Sequence, residues 1–228
     1  MCMWAQVLEQ AAKAFEEQIL VQPFIQLICR NQLPSLQFNC FRKSDQLIIQ
    51  QQLSFLKYAA EHTKAPYLQA LYAGYIEHIT AEITYNNSVF KSLKVSPTYS
   101  VELVKDYCKV FEKMPANDAI VLGSTTPCAI IWNLLGNEIL KHSQTNLHRY
   151  HVFAQMIRTT DQHQQLSEAI SLIEIQYPNL INDFLESFRI SLACEVNLFA
   201  SFSDSLPIEL LKSLQQPESE FDNKAYLL

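Results

Sequence analysis

Glycine is nearly missing from this chain. Its 228 residues contain three, too few for the many tight turns of a β-rich fold of that length, so the scarcity points to helices. Blocks of basic residues are missing too. Lys and Arg total 17 against 23 acids, giving a net charge of −6 and a pI near 5.5. That removes the electrostatic footprint of a nucleic-acid-binding protein. No uninterrupted apolar run reaches the length expected of a bilayer-crossing segment, so no membrane is expected as a partner. A secretory signal is not expected either, because Glu9, Glu16 and Glu17 break the basic-then-apolar pattern. The six cysteines (Cys2, Cys29, Cys40, Cys108, Cys128 and Cys194) form no CxxC pair. Reduced thiols in a cytoplasmic protein follow, not a disulfide framework or a thiolate zinc site.

What the chain does have is a core. Hydrophobic residues make up 49% and charged residues 18%, the balance of a globular domain. Apolar residues recur at helical spacing from Trp4 to Leu20, then from Phe24 to Cys29 beyond Pro23. Ser35 is placed as the N-cap of a long helix from Leu36 to His62. Pro66 opens the next, to Phe90, with Tyr67, Leu71, Tyr75, Ile79 and Ile83 on one side. Ser96-Pro97-Thr98 marks a break before Val101–Met114, whose Tyr107 and Phe111 face inward. Asp118 is placed as the cap of a helix ending near Lys141. Arg149–Thr160 and His163–Ile175 form one bent helix or two short ones. The last long helix runs from Pro178 to Phe202. The expected architecture is an all-α bundle in a single domain, residues 1–205, followed by a short segment and polar tail, 206–228.

Three of these helices each carry one odd residue on an otherwise apolar stripe. Asp45 lies among Phe38, Phe41, Ile48 and Phe55. Glu195 lies among Phe188, Leu192, Phe199 and Phe202. Cys128 heads the stretch Pro127–Gly136, in line with Trp132, Leu135 and Ile139. Each alone has an ordinary explanation, since free cysteines are often small buried hydrophobes and buried acids often bond a neighbouring helix. If the stripes converge, they enclose a thiol and two carboxyls. That set suits nucleophilic attack by sulfur with a carboxylic acid moving protons. Burial would keep Glu195 protonated near neutrality. Pro127 leaves two geometries open. Either it kinks a continuous helix, or it starts a new one with Thr126 as cap and Cys128 in a first turn, where the dipole favours the thiolate.

The order of these residues resembles the TenA family, also called thiaminase II, of the heme-oxygenase-like fold. The resemblance spans roughly Trp4 to Phe202 and rests on Pro23-Phe24, Phe41 with Asp45, Ser96-Pro97-Thr98, Pro127-Cys128 with Gly136, and Phe188 with Glu195. It implies a hydrolase of thiamine salvage that cleaves a C–N bond at an aminopyrimidine ring and needs no metal or other cofactor. It also implies a homotetramer and a pyrimidine-like small-molecule substrate. Cys128 would be the nucleophile, Glu195 the acid/base, and Asp45 the anchor of the amino edge, beside Phe41. The family's pocket tyrosines are replaced here by Ile48, Trp132 and Ile157, with Phe153 between the last two and Glu102 at a loosely aligned position. Ile48, Trp132 and Ile157 are therefore expected to make a more apolar substrate wall. The alternative is a non-catalytic protein on the same fold, redirected to an apolar ligand or a protein partner.

The histidines offer little for a metal. Glu77-His78 and Asp161-Gln162-His163 lack the Glu-x-x-His spacing of di-iron bundles, and no histidine precedes His62. His148 and His151 have ligand-like spacing but no matching acids.

Overall fold

From Ser35 to His62 the chain has neither glycine nor proline, and one unbroken α-helix forms there. The computed structural model describes residues 2–90, 101–113, 117–142, 148–158 and 160–214. The expectations for Ser96–Thr98, for Pro115-Ala116 and for the tail from Gln215 fall outside the described residues, as does the side chain of Glu102. The described elements are α1 (Met3–Ala14), α2 (Pro23–Cys29), α3 (Ser35–His62), α4 (Pro66–Phe90), α5 (Val101–Lys113), α6 (Asp118–His142), α7 (His151–Ile157), α8 (Thr160–Gln176), α9 (Ile181–Asp204) and α10 (Ile208–Ser213). All are helical, so the expected all-α class holds.

Several local expectations need correction. The first helix does not run evenly to Leu20; it widens into a π-turn at Phe15–Ile19. Ser35 is already helical, and Pro34 occupies the cap position without a side-chain bond. Asp118 does not cap α6. Asn117 does, accepting the Ile120 amide at 2.9 Å. The Asp118 carboxylate instead accepts Thr63 Oγ1 at 2.9 Å and Tyr72 Oη at 3.2 Å, joining α6 to the α3–α4 corner. Residues 151–176 form two helices, α7 and α8, and a 3₁₀ turn at Pro178–Leu180 precedes α9.

Pro127 lies inside a continuous α6. It has no N–H to give to the Gly123 carbonyl. Hydroxyls cluster around the gap: Thr125 Oγ1 bonds the Val121 carbonyl at 2.9 Å and Thr126 Oγ1 the Leu122 carbonyl at 2.6 Å. Cys128 therefore sits mid-helix, and the dipole of a helix start does not act on it. The same helix is more continuously apolar than the sequence reading of run length expected. By length and composition α6 is apolar enough to cross a bilayer, although 72% of its most apolar window is buried inside the protein. A helix apolar on all sides is what the centre of a bundle requires.

Helix α6 packs most closely on α9, and Gly123 is the reason they approach. A Cβ there would stand 2.4 Å from the Phe184 carbonyl oxygen and 2.1 Å from Ser187 Oγ, both on α9. Gly136 plays the same part against α7, where a Cβ would meet the Ala154 oxygen at 2.8 Å. At the other end of the bundle, α2 stops at Asn31, which takes a positive φ of 58°. The amides of Gln32 and Asn31 return to the carbonyls of Leu27 and Ile28, the paired bonds that close a helix C-terminus. Asn31 Oδ1 then accepts the Arg149 amide at 3.1 Å, and the Leu33 carbonyl accepts Arg149 and the Tyr150 hydroxyl. These bonds fix the entry to α7 and so the placing of Phe153 and Ile157. Between the two ends lies an aromatic core in which Phe41 packs on Phe24, Phe202 and Trp132. Burying each such ring contributes roughly 1.5–3 kcal/mol.

Candidate active site

Three helices turn a stripe of the same spacing toward one cavity. Asp45, Ile49 and Gln52 come from α3. Tyr75, His78, Ile79 and Glu82 come from α4. Thr125, Cys128, Ala129 and Trp132 come from α6, and Ile157 closes one side. In each case the residues stand three or four apart, one above another on a single face. The cavity measures about 60 Å³.

Glu195 of α9 lies behind Cys128, with 2% of its surface exposed. Its Oε1 accepts the Tyr107 hydroxyl of α5 at 2.7 Å. Its Oε2 is buried with no hydrogen bond of ordinary geometry, and the Cys128 thiol adjoins the same carboxyl as a donor. Burial pushes the Glu195 carboxyl up to about 7, while the donors Tyr107 and Cys128 pull the other way. Burial also raises the Cys128 thiol well above its ordinary range, and the neighbouring carboxyls of Glu195, Asp45 and Glu82 add to the effect. Asp45 is raised well above the usual carboxylate range, first by burial and then by Glu82, with the Arg42 guanidinium opposing. The resting group is thus a neutral thiol beside an acid poised near neutrality and a second acid that burial also raises.

The sequence placed Asp45, Cys128 and Glu195 on separate helices; in the fold Asp45 and Cys128 line the cavity with Trp132 and Ile157, while Glu195 does not line it but adjoins the Cys128 thiol. Phe41 and Ile48 are not among the lining residues. Ile48 precedes Ile49 by one position, about 100° around the helix, and so turns away into the core. Phe41 lies behind Trp132, stacked on it with ring centres 5.8 Å apart. Tyrosine hydroxyls, expected to be lost, return from other elements. Tyr107 holds Glu195, and the buried hydroxyl of Tyr75, without a hydrogen-bond partner, lies close enough to Cys128 for the thiol to raise the Tyr75 pKa after burial has done so. Both were visible as inward-facing residues of α4 and α5. What was not visible is that His78 and Glu82 share the Tyr75 stripe, because α4 reads as amphipathic only weakly.

Both ring nitrogens of His148 have partners within the protein. Its Nε2 meets the Cys29 carbonyl at 3.2 Å and its Nδ1 accepts the Tyr150 amide. Among the described residues no cluster of three or more histidine, cysteine or acidic side chains is arranged to hold a metal ion.

Solved structures with this arrangement of helices exist. A TenA family transcription regulator from Silicibacter sp. TM1040 superposes with a TM-score of 0.69 at 12% identity, covering 88% of this chain and 96% of that one. A TenA homologue protein from P. horikoshii OT3 gives 0.68 at 15% identity, covering 89% and 99%. The chain has the TenA fold. No protein-family model and no curated protein sequence matches it, so the likeness lives in the backbone.

Proposed function

We propose that the protein is a TenA-like hydrolase that cleaves a C–N bond at a pyrimidine-type ring, in the salvage of thiamine breakdown products. The observation that supports it most is the pairing of the Cys128 thiol with a buried Glu195 carboxyl whose pKa lies at about 7, beside a cavity lined by Asp45, Cys128 and Trp132. Asp45, whose pKa burial raises, donates its proton to a ring nitrogen next to the amino group and draws electrons from the carbon under attack. Sulfur bonds to that carbon while the thiol proton passes to the Glu195 carboxylate. The C–N bond then breaks, and the leaving amine takes that proton. Water adds at the carbon the amine left, giving a proton to Glu195. The C–S bond finally breaks, sulfur recovers the proton, and Asp45 regains its own. The net change is amine plus water to alcohol plus ammonia.

Because the thiol is raised and the carboxyl sits near 7, free thiolate is scarce, and attack and proton transfer occur together. Trp132 and Ile157 give the ring an apolar wall, and Tyr75 offers an unmet hydroxyl to its polar edge. The resemblance also suggests a cytoplasmic homo-oligomer. A non-catalytic reading, in which the cavity holds an apolar ligand, draws on the mainly apolar lining from Ile49, Ile79, Trp132 and Ile157. Incubation with aminomethylpyrimidine and with thiamine separates the two. Release of hydroxymethylpyrimidine from either supports the hydrolase, and no product from both sinks the salvage role.

A further inference from the structure

A second cavity, of about 200 Å³, lies between the first turns of α3, the end of α4 and the start of α7. Contacting side chains connect its lining to that of the first. Arg42 reaches Glu82 at 3.3 Å, and Phe153 meets Trp132 edge-on with ring centres 6.2 Å apart; in each pair one member lines each cavity.

Two residues lining the second cavity each bury a donor with nothing to donate to. Arg42 is 4% exposed and Asn86 2%. Arg42 gives one arm to Glu82 and to Asn86 Oδ1 and lays its guanidinium over the Phe153 ring, yet its Nε is buried without an acceptor. The bond from Arg42 fixes the Asn86 amide with its oxygen inward, and its Nδ2 is likewise a buried donor with no partner. Such atoms are costly to leave unmet. The charge has the same sense. Glu82 offsets Arg42, but Arg149 adds a second guanidinium, and Ser35 and Asn39 bring the uncapped N-terminal end of the long helix α3 to the same wall.

We propose that this cavity binds an oxyanion, the carboxylate or phosphate of a small molecule, through Arg42, Asn86 and Arg149. A planar or tetrahedral oxyanion supplies the acceptors that Arg42 Nε and Asn86 Nδ2 need, with the Arg149 charge alongside, while the Phe38 and Phe153 side chains give the cavity an apolar part. The proposal is independent of the hydrolase reading, since none of these residues takes part in the chemistry at Cys128.

Isothermal titration of the full chain with inorganic phosphate, phenyl phosphate and benzoate tests it. Saturable one-to-one binding of at least one is expected, and the preferred probe tells phosphate from carboxylate. Arg42→Lys keeps the charge opposite Glu82 but loses the Nε donor. Asn39→Asp sets a negative charge at the partly exposed rim. Each should weaken binding by about tenfold, the loss of one charge-assisted contact, while Cys128→Ala should bind as the parent does. No saturation with any probe overturns the proposal. So does parent-like affinity in Asn39→Asp and Arg149→Gln with unchanged circular dichroism, a pair that decides the matter should Arg42→Lys fail to fold. Loss of binding in Cys128→Ala would place the anion in the other cavity and also end it.

Discussion

Glu195 is where one residue's surroundings decide the chemistry. A glutamate in water titrates near 4.3 and would be ionised and weakly basic at neutral pH. Enclosed by α5, α6 and α9, it reaches about 7. The proposed reaction needs it ionised in the free enzyme, so kcat/KM should fall about tenfold per pH unit below about 7 and level off above. Tyr107 donates to the ionised carboxylate and holds its pKa down. Tyr107→Phe should therefore move the acid limb of the profile to higher pH, with turnover retained on the plateau. A limb that stays in place would mean that Glu195 is not the group being titrated. The raised thiol also changes what alkylation can report. An exposed active cysteine reacts fast because it is a thiolate, whereas Cys128 in the free protein should react slowly with iodoacetamide at pH 7, measured by peptide mass spectrometry.

At the scale of the elements, the site depends on how closely α6 can lie on α9. Gly123 permits that contact, and a methyl group there meets backbone as well as side chain. Gly123→Ala should cost about 1–3 kcal/mol in chemical denaturation, the usual effect of overpacking, and should lower activity by moving Cys128 from Glu195. Gly74 is the contrasting case. It lies in α4, and a Cβ there meets nothing within 4 Å. Gly74→Ala should stabilise by about 0.5–1 kcal/mol through helix propensity alone. Equal effects at the two positions would show that the α6–α9 approach is not limiting.

The whole molecule carries the cost of its site as a pH-dependent stability. Between about pH 4.5 and 7 the folded protein holds a proton on Glu195 that the unfolded chain has released. The folded state binds more protons in that window, so this contribution to stability is lost as pH rises through it. Glu195→Gln keeps an acceptor for Tyr107 and removes the titration. It should match the parent in stability near pH 4 to 5 and exceed it at pH 8, by on the order of 1–3 kcal/mol in paired urea melts.

The same scale shows what the sequence could and could not tell. Helix ranges, the odd residues Asp45, Cys128 and Glu195, and the TenA likeness were all legible, because helical periodicity is local and each odd residue breaks an apolar stripe. Pro127 was legible only as a choice, settled by hydroxyl bonds and by packing on α9. Ile48 and Phe41 were misplaced relative to the cavity because sequence register does not say which neighbour a face meets. Tyr107 as the partner of Glu195 lies 88 residues away in the chain, a pairing that no local pattern encodes. The second cavity was invisible for the same reason, since Arg42, Asn86 and Arg149 belong to three separate segments.

The central claim is that the sulfur of Cys128, with Glu195 as its proton partner, breaks the C–N bond. Ammonia release from aminomethylpyrimidine, followed side by side for the parent, Cys128→Ala and Glu195→Gln, tests it most directly. Turnover by the parent, none above background in Cys128→Ala, and a loss of about a hundred- to ten-thousandfold in Glu195→Gln is the expected result. Parent-like ammonia release from a folded Cys128→Ala variant would contradict it.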